Sequence, residues 1–319
     1  MQLHKKIQTV FSFSSTDFKS KSLSELQLCI LIDADKFQYA IMSDSKQMMH
    51  ICTYQIQSEA DLFIDYYRQI FLSDPLLKNN YKKAVVFAGG ENFTLIPSNF
   101  FVESELQNLV TIHGISQVKN TIYNSEITSI NQTNTFSLNQ QLVELFQNQF
   151  QNIEFKNLND ALISSLIHQE GKLHLCISSS HFELLLFADH RLNYINTFKY
   201  NNADDLLYYT LFVMKQLGLD PENFPIQIFG DLLPDSSIYK LLTKYVRNIS
   251  FGKKPDGLQF SEEIKLLPHF HFQLYIVQVC QHDRISDLKY LSSLQQLNFY
   301  INYLLYNLYN LLYKNMKMA

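Results

Sequence analysis

Tryptophan is missing from this chain and charge is scarce. Charged residues make up 18% of 319 positions, with 30 acidic against 26 basic and a formal net charge of -4. That balance lacks the basic surplus on which phosphate-backbone binding depends, so no nucleic-acid partner is expected. Four cysteines, Cys29, Cys52, Cys176 and Cys280, lie far apart without a Cys-x-x-Cys. They are read as small buried thiols, suited to a reducing cytoplasm. The opening Met1-Gln2-Leu3-His4-Lys5-Lys6 leads into serine-rich polar sequence rather than a long apolar run, and no secretory signal is expected. What is abundant is apolar: 46% of the residues, including 25 Phe and 19 Tyr. A chain of this length and content can bury two cores.

The pattern around which the chain is organised is an internal echo. Leu173-His174-Leu175-Cys176-Ile177 resembles Leu26-Gln27-Leu28-Cys29-Ile30, which places Cys29 and Cys176 at matching strand positions. A second apolar run ending in an acid follows each, at 37–44 and 182–189, and a third at 50–56 and 194–200. A helix start comes next, Ser58-Glu59-Ala60-Asp61-Leu62 against Asn202-Ala203-Asp204-Asp205-Leu206. Both copies finish on a buried-looking strand ending at glycine, 84–89 and 225–230. Short turns between the first three strands imply antiparallel neighbours.

Between the copies, residues 93–96 read as a short strand. Ser98 is a candidate cap for a helix through 106–110, and 120–123 pairs with 127–136. Helical spacing marks 138–150 and 158–168. Beyond the second copy, Asp235 or Ser236 caps a helix through Tyr245, and 269–279 is read as the last strand of the body. Residues 290–313 carry no formal charge, but Leu294, Leu297, Ile301, Leu304 and Leu308 share one helical face against Tyr and Asn on the other. A lipid-spanning helix is apolar all round; this one is amphipathic, so a docked helix is expected and no membrane span.

Three antiparallel strands, a helix, a strand and a further helix, written twice, resemble the actin-like ATPase (ribonuclease H-like) fold of actin, sugar kinases and heat-shock chaperones. Leu217-Gly218-Leu219-Asp220-Pro221, Ile228-Phe229-Gly230-Asp231 and Tyr245-Val246-Arg247-Asn248-Ile249, with Phe11-Ser12-Phe13 near the start, are similar to an uncharacterised bacterial family of unknown function. Its members are described as having that fold. The resemblance implies a duplicated α/β architecture: a first lobe over 1–168, a second over 169–283, each a mixed sheet with flanking helices, and a C-terminal amphipathic helix in 284–319.

Active members of the superfamily carry an Asp-x-Gly turn in each three-strand unit. There glycine lets the backbone approach phosphate and the carboxylate orients Mg²⁺ through water. The first turn here is Asp33-Ala34-Asp35-Lys36, without glycine and with an extra acid. The second is Ser178-Ser179-Ser180-His181, without a carboxylate. At the adenosine side Gly230 remains, followed by Asp231-Leu232-Leu233 in place of an open loop, while Gly89-Gly90 stands in the other copy. Any residual nucleotide site would therefore use Asp33, Asp35, Gly230 and Asp231. No catalytic residue, metal or cofactor is assigned.

His269 and His271 would share one face of a strand as a possible metal pair, but no third ligand is evident, so structural histidines are the better reading. Asp33, Asp35 and Asp44 could gather a cation, though loop-solvated carboxylates are the ordinary case. The expected function is a non-catalytic, cytoplasmic actin-like protein that binds an unknown protein partner. The alternative is a cryptic nucleotide-binding kinase or ATPase using the cleft between lobes.

Overall fold

The computed structural model describes residues 7–33, 35–57, 63–90, 93–105, 120–230, 232–253 and 271–279. The expected C-terminal helix, the helix at 106–110, Asp231 and His269 lie outside them. In chain order the elements are β1 (Ile7–Ser14), β2 (Gln27–Ile32), β3 (Lys36–Met42), β4 (Met48–Ile56), α1 (Phe63–Ser73), β5 (Lys83–Ala88) and β6 (Phe93–Pro97). Then come β7 (Asn120–Ile127), β8 (Gln132–Asn139), α2 (Gln140–Gln149), β9 (Ile153–Asn157) and α3 (Leu158–Leu166). The second half holds β10 (Leu173–Ile177), β11 (His181–Ala188), β12 (Arg191–Lys199), α4 (Ala203–Gln216), β13 (Ile226–Gly230), α5 (Ser237–Tyr245), β14 (Ile249–Phe251) and α6 (Phe272–Val279).

Two sheets share one strand order. The first runs β1-β4-β3-β2-β5-β9 and the second β12-β11-β10-β13-β14. Set β1 aside and the five positions correspond, with antiparallel pairs from β4 to β2, or β12 to β10, and parallel pairs beyond. A three-stranded sheet, β6-β8-β7, belongs to the first half. The register corrects the matching of the cysteines. Ile32 faces Phe37 as Ile177 faces Phe182, so Cys29 corresponds to His174 and Cys176 to Leu31. Turn geometry fixes register in a hairpin, and similarity of letters does not. Cys29, Cys52 and Cys176 are all buried, and none of them forms a disulfide.

Local chemistry explains where the helices begin and end. Asn139, Asn157, Asn202 and Ser236 each accept a backbone N–H of the first turn of α2, α3, α4 and α5. Helix α4 stops at Gly218, whose φ of 68° lets Leu219 N–H reach Met214 O at 2.8 Å and Gly218 N–H reach Lys215 O at 3.2 Å. This is the paired closure that a left-handed residue makes possible.

Each face of the second sheet packs on something different. Leu173, Leu175, Ile177, Leu184 and Leu186 point out toward α4 and α5, with Leu206, Val213, Met214 and Leu242. Cys176, Leu185, Phe187 and Phe229 point inward and join the core of the first lobe. The join is made by α6. It packs on α3, β2 and β3 of the first lobe and on β13 of the second, and Phe272 stacks on Phe229 with ring centroids 3.9 Å apart. The sequence predicts a strand over 269–279, where residues Phe272–Val279 are helical. Every described residue from His271 to Gln278 is buried, and an apolar run wetted on no side shows no period by which helix and strand could be told apart.

Candidate functional site

Parallel strands β2 and β10 end at Ile32 and Ile177, and the turns that follow leave the carboxyl edge of each sheet, where open α/β folds bind ligands. Both turns close alike. Asp33 N–H donates to Lys36 O at 3.0 Å and Ser178 N–H to His181 O at 2.9 Å. Ile56 N–H donates to Asp35 O at 2.7 Å and Tyr200 N–H to Ser180 O at 3.1 Å. Asp33 thus corresponds to Ser178, Lys36 to His181, and Gln38 to Glu183.

The turns meet face to face. His181 stands between them, its Nδ1 3.4 Å from Asp33 Oδ1 and its Nε2 3.2 Å from Glu183 Oε1. The contact is buried: side-chain exposure is 7% for His181, 14% for Asp33 and 1% for Glu183. Gly89, at the end of β5, makes room for the ring, since a Cβ there would lie 3.3 Å from His181 Nε2. Around the pair, Gln273 Nε2 donates to Ser178 Oγ at 3.0 Å, Tyr67 Oη to Asp33 O at 3.0 Å, and Tyr200 Oη to Ser178 O at 2.6 Å. Gln55 Nε2 donates to Asp35 Oδ2 at 2.9 Å.

Burial alone would pull the His181 imidazolium down, but Asp33, Glu183 and Asp35 outweigh it and raise the pKa to about 9. The ring is therefore a cation at neutral pH. Lys36 is lowered by burial, against the pull of Asp35 and Asp33. Burial, with Asp35 and Asp33, pushes the Tyr200 phenol up to about 12 and the Tyr67 phenol higher still. Burial and Glu183 likewise hold the Cys176 thiol protonated.

Among the described residues, Asp33, Lys36, Gln38, Ser178, His181 and Gln273 line a pocket at the turns. Gly230 is not among its lining residues. A φ of 91° and a Cβ position 2.0 Å from Ile177 O give this glycine a packing reason, close approach of β13 to β10, independent of any nucleotide. Asp44 is at the opposite end of β2 from Asp33, paired with Lys82 at 2.5 Å and Gln27 at 3.0 Å, so the three acids do not converge. Ser236 is a helix cap. His271 precedes α6 with its ring 5.3 Å from that of Phe11, and burial pushes its pKa down to about 4. Among the described residues no group of three His, Cys, Asp or Glu is placed to hold a metal.

Of the residues proposed from sequence, Asp33 and Asp35 do come together with the second turn. The reading missed His181, Glu183, Lys36 and Gln273. A signal was present: His181 and Glu183 are ionisable residues at i and i+2 of an otherwise apolar strand, hence on one face. In the first turn Asp33 faces the His181 imidazole and Asp35 accepts from Gln55, while the counterpart of Asp33 in the second turn is Ser178.

A protein from Bacteroides thetaiotaomicron VPI-5482, described as having an actin-like ATPase fold and unknown function, is similar to this chain. The TM-score is 0.67 at 17% identity, over 83% of this chain and 99% of that one. A PilM-PilN type IV pilus biogenesis complex matches with TM-score 0.53 at 11% identity, over 82% of this chain and 99% of that one. Identities this low establish the fold and nothing finer. No curated protein matches the chain in sequence. The family model described as "Protein of unknown function (DUF3822)" matches residues 15–249, and the chain belongs to that family, built on the actin-like ATPase fold.

Proposed function

We propose that this chain is a non-catalytic member of the actin-like fold that acts by binding another protein. The observation carrying the reading is the His181–Asp33 contact at 3.4 Å. A magnesium ion oriented by Asp33 would have to displace a buried cation already beside it, with no second carboxylate from the Ser178 turn to compensate. Lobes at 1–168 and 169–283, with 284–319 as an extension, then serve as a scaffold rather than as jaws. Exposed Phe100, Val102, Tyr208 and Tyr245 supply apolar and aromatic surface of the kind interfaces use. Occurrence of the fold in a PilM-PilN complex is consistent with such a role.

Phosphate release from ATP with Mg²⁺, followed on purified chain beside an Asp33→Ala variant, tests the reading. The expected result is background release from both, and a melting temperature that nucleotide leaves unchanged or raises only slightly. Mg²⁺-dependent hydrolysis abolished by Asp33→Ala would overturn it in favour of the kinase or ATPase alternative.

A further inference from the structure

Three acids crowd the place where the turns meet, Asp33 and Asp35 on one and Glu183 on β11. Glu183 is fully buried, and among the described residues no donor makes an aligned hydrogen bond to its carboxylate oxygens. Burial disfavours the ionised form of such a group, so it stays a carboxylate only beside an opposite charge. The charge beside it is His181, 3.2 Å away and angled off hydrogen-bond alignment, and the other face of the same ring meets Asp33 of the opposite lobe. Apolar packing through α6 joins the lobes at the inner face of the sheets, and at the turns this ring links Asp33 directly to the second lobe.

We propose that His181 is a built-in cation that locks the two lobes closed, standing between acids that would otherwise repel, so that closure needs no bound nucleotide or metal. Gly89 belongs to the device, because any side chain there would press on the ring. The lock extends the functional reading above without depending on it. ATP hydrolysis by the unaltered chain would end that reading and leave the lock standing.

Amide exchange of Asp33 and Ser178, whose N–H groups close the two turns, reports the lock directly. His181→Gln keeps the size and loses the charge. Exchange at both amides should rise about tenfold or more, with the outer strand β12 unchanged, while His181→Lys, which restores a cation, should stay within a few-fold of the parent. Exchange in His181→Gln as slow as in the parent would overturn the proposal, as would a His181→Lys variant as loosened as His181→Gln. Should His181→Gln not fold, the double variant with Glu183→Gln, which removes the unpaired buried carboxylate, must fold if the lock is real. Failure of that double variant would overturn it too.

Discussion

Asp74 shows how much one buried carboxylate holds in this chain. Tyr39 and Tyr54 both donate to its Oδ2, at 2.7 and 2.8 Å, and its Oδ1 accepts the Leu76 N–H at 2.9 Å. Asp74 is buried, Tyr39 fully so and Tyr54 half-buried. Burial and Asp74 together push both phenols far above their ordinary pKa, so they act as donors at any pH at which the protein is folded. Asp74→Ala should therefore cost about 3 kcal/mol, the scale of losing charge-assisted bonds and orphaning buried hydroxyls. Urea denaturation of the two proteins measures it; a loss below about 1 kcal/mol would show that the phenols find other partners.

At the scale of elements, α6 decides the architecture. Eight residues long, it presents Phe272, Leu274, Tyr275, Ile276 and Val277 to both lobes at once. Phe272→Ala removes the ring stacked on Phe229 from a site that cannot collapse, being walled by α3 and three strands. The expected loss is about 3–5 kcal/mol. If α6 ties the lobes together, the variant should melt in two steps, second lobe apart from first, where the parent melts in one. Calorimetry distinguishes the cases, and a single sharp transition at the parent's temperature would mean that α6 is not the tie.

For the whole molecule, the buried histidines set the response to pH. Burial pushes His50, His174 and His271 each down to about 4. A depressed pKa means stability present above about 6.5 and lost as pH falls toward 4. His181 has the opposite sign: its raised pKa gives stability complete below about 6.5 and lost as pH climbs to about 9. Asp160, pushed up to about 6 by burial against its bonds from Ser125 and Asn134, gives back some stability on the acid side. One carboxylate does not outweigh three histidines. Melting temperature should thus peak near neutral pH and fall on both sides. The alkaline fall should flatten in His181→Gln while the acid one persists. A melting temperature that keeps rising from pH 7 to 9 would contradict the assignment of a charged His181.

The order of strands and helices was legible in the sequence because each element of the echo carries its own signal. Apolar runs of strand length, turns between them, Asn and Ser at helix starts and Gly218 at a helix end are all local, and local chemistry does not wait for the fold. The fate of 271–279 was not legible, because an element buried on every side shows no periodicity. Nor was the site. Asp33 and Ser178 could be matched as turns, but His181 lies 148 positions after Asp33, and nothing in either stretch states that one will neutralise the other. Glu183 reads as an oddity in an apolar strand until the opposing lobe closes over it. Sequence alone determined the repeated order of the strands and helices in the two halves, α6 excepted. Only the tertiary structure decided that the two turns meet, because charge neutralisation in a buried contact depends on distance through space and desolvation, neither of which exists along the chain.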